Sequence, residues 1–353
     1  MILKTFLKKN WVILTLIFIV VASFLLRIWQ LGKIGDQIFD EVYFVKFAEN
    51  YLSGVSFFDI HPPLGKLIIA SALFFHNTSF TWRIMPAIFG TLLIILGYFT
   101  GKELSSKIAG LFTAAILALD GMILVYSRTG LIDIFLAFFI LLSFYLFLRF
   151  TNSKKLIYLI LAGAAVGLAA SVKYIGALVL IVFLVMILER KISFRKYFLK
   201  FFLFLFIVPA VIYLSFFLFN FHEKDFFFKV YEWHQQSFNY NIGLKDTHPY
   251  GSKWWSWFLL LRPIWLYFKE VNGQYVGVDG IGNPLAWWSS LVIVPLLIWG
   301  TAQKYKNHLI VLSGFLVFLL FWAPFNRVLF FYHAIPSFIF LSLGISLWLE
   351  RLL

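Results

Sequence analysis

Apolar runs about twenty residues long, broken by short polar segments, recur along all 353 residues, as in Trp11 to Leu31 and Tyr197 to Asn220. Runs of that length match helices that cross a hydrocarbon layer about 30 Å thick. The pattern predicts spans over 11–31, 82–101, 108–126, 131–149, 156–172, 174–189, 199–219, 286–302, 308–324 and 334–350. About ten transmembrane helices then leave both termini on one side. Two breaks on the other side are far longer than the rest, 32–81 and 220–285, and chemistry is to be sought there. No internal repeat and no low-complexity linker interrupts the chain. The expectation is an all-α polytopic membrane protein, a single embedded domain over 1–353.

The first long loop carries its own periodicity. Asp40 to Leu52 reads as a short helix with Val42, Phe44, Val45, Ala48 and Leu52 on its apolar face and Gly54 as its stop. Leu64 to Phe75 is too brief to span and fits a re-entrant or interfacial helix. The second long loop is rich in Trp and Tyr, with FFFKVYEWHQQSF at 226–238 and KWWSWFLLLRPIWLYF at 253–268. Such amphipathic aromatic stretches suit the headgroup layer, so interfacial helices lying flat on the membrane are expected, with Trp254, Trp255 and Trp257 as anchors.

Composition agrees and adds orientation. Only 13% of residues are charged against 62% hydrophobic, whereas a soluble domain carries about a quarter charged. The net charge of +14 is unevenly placed: connections on the side of the termini hold 16 Lys and Arg against Glu103, Glu189 and Glu350. Short basic connections mark the cytoplasmic side, so the excess is an orientation signal and not a nucleic-acid footprint. Both termini are expected in the cytoplasm, and the long loops on the extracytoplasmic face of a multi-pass protein (the inner membrane in a prokaryotic cell). The first run follows a basic segment as in a signal peptide, yet it spans about twenty residues and lacks a small-residue cleavage site, so it reads as a retained anchor. With no cysteine, disulfides and thiolate metal sites are excluded.

Ionisable side chains near membrane depth need a partner or a purpose. Asp40, Glu41, Asp59, Arg83, Asp120, Arg128, Asp133, Lys173, Arg262 and Arg327 all fall at the outer edge of this topology. Spans that agree on one face imply a shared cavity, open sideways to lipid, holding carboxylates and cations together. A substrate with an isoprenoid tail and a phosphate head suits such a cavity. Arg128 and Arg327 offer forks to phosphate oxygens and Lys173 a point charge, which would neutralise a departing phosphate. A base must then take a proton from the incoming hydroxyl, and Asp40 fits that role. Successive helical residues diverge by about 100°, so Asp40 and Glu41 cannot address the same atom: one acts and the other supports.

Each residue also has a plainer reading. Asp40 could be an N-cap, His61 before Pro62-Pro63 could only fix a turn, and Asp120 with Asp133 could form an ion-pair network orienting Arg128. Arg83 and Arg262 could snorkel to headgroups. No His-Glu-x-x-His element or cysteine cluster supports a resident cofactor, although Asp40, Glu41 and His61 could meet around a divalent ion.

"FDEVYFVKFAENYLSG" followed by "FFDIHPPLGKLIIA" resembles the first extracytoplasmic loop of the protein O-mannosyltransferase family, membrane glycosyltransferases of the C-type (GT-C) fold. Further matches follow in family order: ALDGMILVYSRTGLIDIFLAFF (118–139), GLAASVKYIGAL (167–178), HPYGSKWWSWFLLLRPIWLYF (248–268), GNP (282–284) and NRVLFFYHAIPSF (326–338). The resemblance implies inverting transfer of a sugar, usually mannose, from a polyprenyl-phosphate donor to Ser or Thr hydroxyls of secreted or membrane proteins. It places the acidic pair at Asp40 and Glu41, the Ser-Arg element at Ser127-Arg128 on the donor phosphate, the Lys-aromatic-Gly element at Lys173-Tyr174, and the His-Pro-Pro element at His61. With the reading of the charges above, the candidate set is completed by Asp59, His61, Asp133, Tyr174 and His248 as substrate-binding or supporting residues, beside a phosphate set of Arg128, Lys173 and Arg327.

The loop 220–285 has no room for the soluble β-trefoil module of eukaryotic members, and the eleventh span common in the family lies beyond the ten counted. A short bacterial or archaeal form is expected, its self-association left open. Two other functions stay open as well. A C-type transferase acting on a lipid or cell-envelope glycan would share fold and donor. A lipid-linked sugar flippase would instead place charge at mid-bilayer and carry inverted repeats.

Overall fold

The computed structural model describes residues 2–222, 224–244, 247–271 and 273–353. Positions 223, 245, 246 and 272 of the second long loop therefore lie outside the described residues. In chain order the helices are α1 (Ile2–Ile28), α2 (Glu41–Ser53), α3 (Leu64–Leu73), α4 (Thr81–Leu104), α5 (Lys107–Leu119), α6 (Gly121–Tyr126), α7 (Asp133–Ser153) and α8 (Leu156–Val172). They continue as α9 (Val179–Glu189), α10 (Phe194–Phe202), α11 (Val208–Phe217) and α12 (Phe226–Gly243). A ribbon of β1 (Ile264–Val271) and β2 (Gln274–Gly280) precedes α13 (Pro284–Trp288), α14 (Ser290–Ala302), α15 (His308–Leu320) and α16 (Ile335–Arg351).

Six helical stretches among the described residues are long and apolar enough to cross a membrane: Lys9–Ile28, Thr81–Leu104, Asp133–Ser153, Phe194–Phe217, Pro284–Ala302 and Phe331–Arg351. The other four spans expected from sequence fall on shorter apolar helices, α5, α8, α9 and α15. The region expected as 108–126 is broken because Asp120 ends α5 in extended conformation and caps α6, accepting from the Ile123 amide.

Burial sorts the bundle into layers. The last span, carried by α16, is 89% buried, and that of α7 72%, whereas the window at α1 is only 11% buried. Without a hydrophobic force between helices in lipid, the centre depends on close packing. Aromatic contacts supply it: Phe147 stacks on Phe183 at 4.0 Å, and Phe340 meets Phe144 edge-on at 5.1 Å. Gly163 of α8 lets a helix pass at contact distance, since a Cβ there would stand 1.6 Å from the Phe204 carbonyl oxygen. That carbonyl belongs to a π-helical turn, Leu203–Ile207, joining α10 to α11.

The long loops depart from expectation in two places. The segment 226–238 is helical as expected, inside α12, but 253–268 is not a flat helix. It forms a 3₁₀ turn over Trp254–Leu259 and then enters the antiparallel ribbon, with Ile264 opposite Gly280 and Val271 opposite Gln274. Alternating aromatic and β-branched residues around Gly273, whose φ is +76°, favour a hairpin over a helix. Trp257 is buried, donating to Ser252 Oγ at 2.9 Å, so it does not anchor the surface; Trp255 stays exposed.

Candidate active site

α2 begins at Glu41, one residue after Asp40. Asp40 occupies the N-cap position with helical φ and ψ, and its carboxylate makes no capping hydrogen bond. The plain capping role is therefore absent. Phe39, just before it, has φ +50°, a conformation rarely adopted by bulky residues. Its ring is held edge-on between Phe330 at 6.0 Å and Tyr332 at 6.2 Å. Packing from the distant segment before α16 thus sets the turn that aims Asp40.

Glu41 points the other way. It is fully buried, and Arg83 grips it with a fork, Nε to Oε1 at 2.8 Å and Nη2 to Oε2 at 2.7 Å. The same carboxylate accepts from the Ile38 amide at 2.8 Å and the Gly130 amide at 2.6 Å. Arg83 also donates to the Ile34 and Asp36 carbonyls at 2.6 and 2.9 Å. This corrects the snorkelling reading for Arg83: its guanidinium ties the first long loop to α4 and to the turn before α7. Arg262 is exposed. The helix also turns Glu41 inward in place of Val42 and Leu52, which are exposed, so its buried face is Glu41, Phe44, Val45, Ala48 and Asn50.

Around Asp40 the other carboxylates are taken. Asp59 pairs with Lys66 of α3 at 2.6 Å, both buried, and Lys66 also donates to the His61 and Pro62 carbonyls at 2.8 and 2.5 Å. The His-Pro-Pro turn is thereby clamped. Asp133, in the first turn of α7, pairs with Lys173 at 2.7 Å. Lys173 also faces the ring of Tyr332 at 5.4 Å. Asp120 accepts from the Ile123 and Asn283 amides at 2.9 Å and from Trp287 Nε1 at 2.7 Å. The expected Asp120–Asp133 network around Arg128 therefore does not form.

Burial pushes the carboxyl of Asp40 up to about 6; the Lys173 charge opposes this, and the Asp133 and Asp59 charges add to it. His61 is held well below its ordinary value by burial and by the charges of Lys173, Lys66 and Arg327, which keeps its ring neutral. Arg327, half-buried, donates to Asn241 Oδ1 of α12 and to its neighbour Val328's carbonyl at 3.4 Å. These couplings gather Asp40, Asp59, His61, Lys66, Asp133, Lys173 and Arg327 into one cluster. Tyr174 reaches Ser237 of α12 at 3.4 Å, and His248 is exposed, its ring edge-on to Phe330 at 5.0 Å.

Arg128 stands apart from that cluster. Its guanidinium donates to the carbonyls of Leu26, of Arg27 at 3.3 Å and of Trp29 at 2.8 Å, which closes the C-terminal end of α1. Beneath it lies a residue that sequence reasoning passed over. Arg27 is fully buried and donates to Ser23, yet its Nε and Nη2 have no partner. Its signal was legible, because a charge inside an apolar span calls for a purpose. A Cβ on Gly90 would meet Ser127 Oγ at 2.0 Å and Arg27 Nε at 3.0 Å, so α4 leaves space for this arginine only by having glycine there. Among the described residues no three carboxylate or imidazole groups converge as metal ligands, and Glu41 is turned away from Asp40 and His61.

The family model described as dolichyl-phosphate-mannose-protein mannosyltransferase matches residues 17–82 and 69–224, and that of the C-terminal four-span region of protein-O-mannosyltransferase matches 226–353. A polyprenol-phosphate-mannose–protein mannosyltransferase of Mycobacterium tuberculosis (strain ATCC 25618 / H37Rv) is 24% identical over 427 residues, covering 98% of this chain and 82% of the relative. The protein of the same description from Corynebacterium glutamicum is 28% identical over 351 residues, covering 78% of this chain and 67% of its own. Among solved structures, the Saccharomyces cerevisiae protein O-mannosyltransferase Pmt1-Pmt2 complex bound to the sugar donor superposes with a TM-score of 0.83 at 16% identity. That match covers 96% of this chain and 85% of the yeast chain, and at this identity it speaks for the fold.

Proposed function

The chain belongs to the dolichyl-phosphate-mannose-protein mannosyltransferase family, and from that premise we propose that it transfers mannose from a polyprenyl-phosphate carrier to Ser or Thr hydroxyls of proteins, inverting the anomeric carbon. One observation carries the assignment of roles. Every carboxylate close to Asp40 is held by a protein group, Glu41 by Arg83, Asp59 by Lys66 and Asp133 by Lys173, while Asp40 has no partner among the described residues. A buried-edge carboxylate left unpaired beside cations is what a general base requires.

In the step itself, the acceptor hydroxyl oxygen attacks the anomeric carbon from the face opposite the phosphate, and Asp40 takes its proton. The bond from that carbon to the phosphate oxygen breaks, and the electron pair leaves with the phosphate. Lys173 and Arg327 face the growing negative charge. Glu41 acts through the backbone, holding the turn that presents Asp40. Arg128 fixes the end of α1 above Arg27, a positioning role that replaces direct grip on the donor. The sixteen basic residues on the side of the termini support an orientation with the termini in the cytoplasm and the carboxylate cluster on the extracytoplasmic face. One embedded domain houses all of it.

The test is Asp40→Asn in proteoliposomes supplied with polyprenyl-phosphate mannose and a Ser/Thr peptide. Turnover is expected to fall by about 10²–10⁴-fold with thermal unfolding unchanged. Undiminished turnover would remove Asp40 from the role of base.

A further inference from the structure

At the end of the bundle away from Asp40, the turn that closes α7 meets the start of α10, and cations gather there on two aromatic rings. Phe150 of α7 stands edge-on to Tyr197 of α10 at 5.7 Å. Lys196 and Lys200 bring their ammonium groups to 5.9 and 5.5 Å from the Tyr197 ring, and that of Lys154 lies 6.0 Å from the Phe150 ring. Lys154 Nζ also donates to the Thr151 carbonyl at 2.6 Å, which holds it at the turn. Arg190, just past α9, is close enough to act on the Lys154 charge. The three lysines are exposed, as are Lys155, Lys191 and Arg195 around them. The carboxylates of this end are committed elsewhere. Glu103 is held by Arg149 at 2.9 Å and by Asn152 at 2.7 Å, and the charge of Glu189 falls to its neighbour Arg190. Among the described residues, none of the exposed cations just named belongs to an ion pair.

Like charges this close repel, and with no carboxylate of the described chain to offset them the arrangement suits an anion from outside. What lies beside the lysines decides its chemistry. α10 runs on through the π-helical turn Leu203–Ile207 inside the apolar span Phe194–Phe217. Lys196, Lys200 and Leu203 follow one face at i, i+4 and i+7. Leu199, Leu203 and Ile207 are exposed, so an apolar strip leads from the lysines into the membrane. We propose that this corner seats an anionic phospholipid of the leaflet on the side of the termini, its phosphate among Lys154, Lys196 and Lys200 and its acyl chains along Leu203 and Ile207. Basic residues beside a span attract anionic headgroups in this way, each by about fivefold in affinity. A free phosphate would satisfy the ammonium groups but has nothing to lay on the strip. A zwitterionic headgroup brings its own cation, which the lysines repel. A lipid held here ties the end of α7 to α10, whose following turn packs the Phe204 carbonyl on Gly163 of α8. That the leaflet is the cytoplasmic one rests on the orientation proposed above; the headgroup chemistry does not.

The experiment uses the full chain in phosphatidylcholine nanodiscs that carry a small fraction of phosphatidylglycerol with a diazirine in its acyl chain. Photolabelling is expected on residues 199–207, competed by unlabelled phosphatidylglycerol but not by glycerol phosphate or inorganic phosphate. Lys154→Gln, Lys196→Gln and Lys200→Gln combined should raise the half-saturating phosphatidylglycerol fraction about a hundredfold. Lys102→Gln, Lys107→Gln and Lys304→Gln combined remove as much exposed charge from the same side and should leave it nearly unchanged. The single variants, each expected at about fivefold, read the result if the first combination fails to fold. Equal loss in both combinations would mean a diffuse surface potential and overturns the proposal. Labelling confined to other segments, or competition by glycerol phosphate as strong as by the lipid, also overturns it. Orientation is read separately: the chain has no cysteine, so Ser153→Cys reports its own side of the membrane. Its modification by an impermeant maleimide from outside intact cells would reverse the proposed orientation and leave the lipid seat in place.

Discussion

The two ends of the helical bundle handle charge in opposite ways. At the end where α4, α7 and α16 finish, Arg149 meets Glu103 at 2.9 Å with side chains 34% and 19% exposed. Asn152 and Tyr158 complete the set, and Glu350 accepts from Ser105. These groups share their burden with solvent. At the other end, Arg83–Glu41, Lys66–Asp59 and Lys173–Asp133 are almost completely withdrawn from it. Buried pairs gain little over apolar packing, because desolvation offsets their attraction, so stability alone does not explain three of them in one layer. Their common effect is to fix the loops around one carboxylate that stays unpaired.

The largest consequence of that contrast is the cost of breaking a buried pair. Glu41→Gln leaves the Arg83 guanidinium uncompensated and loosens four contacts at once. It should cost about 3–5 kcal/mol of stability, read as a lowered thermal transition in detergent, and abolish turnover because the Asp40 turn is no longer held. Asp40→Asn should abolish turnover without the stability loss. Equal destabilisation by both substitutions would erase the division of labour between the two adjacent acids.

A middle-sized effect sharpens the comparison through pH. With the Asp40 carboxyl raised to about 6, the base is protonated and idle below that value, so kcat/KM should rise with pH through about 6. An ordinary solvated carboxylate would place the limb near 4. The sign for stability is opposite. A raised pKa means that the folded state holds the proton more tightly than the unfolded chain, so this contribution is present at low pH. It is lost as pH climbs from the ordinary 3.8 through about 6. Lys173→Met should move the limb higher, since the lysine opposes the shift and its loss also frees the Asp133 charge. A limb that stays in place would separate Lys173 from Asp40.

Much of this was legible in the chain. The spacing of apolar runs gave the bundle, and the 100° step between neighbours separated Asp40 from Glu41. The partner of Glu41 was not legible, because Arg83 lies 42 residues away and no local pattern joins them. Arg128 was read by motif as a phosphate ligand, while the structure gives its guanidinium to carbonyls about 100 residues earlier. The ribbon was missed although its signal was present: Asn272-Gly273 between alternating residues marks a hairpin. The density of tryptophan upstream favoured an interfacial helix instead. Arg27 was missed because hydropathy averages a single charge away inside a long apolar run.

The smallest effect belongs to the solvent-exposed end. Arg149→Met removes the partner of Glu103 and the donor to Tyr158, but both remaining groups can turn to water. An exposed pair of this kind contributes under about 1 kcal/mol and less in salt. The thermal transition should therefore fall slightly at low ionic strength and converge on that of the unaltered protein as salt rises. The Arg83–Glu41 pair offers no such screening, since its side chains are at most 2% exposed. A loss from Arg149→Met that is large and salt-independent would mean that the two ends do not differ as their exposure implies, and that the concentration of buried charge around Asp40 is not special to the site.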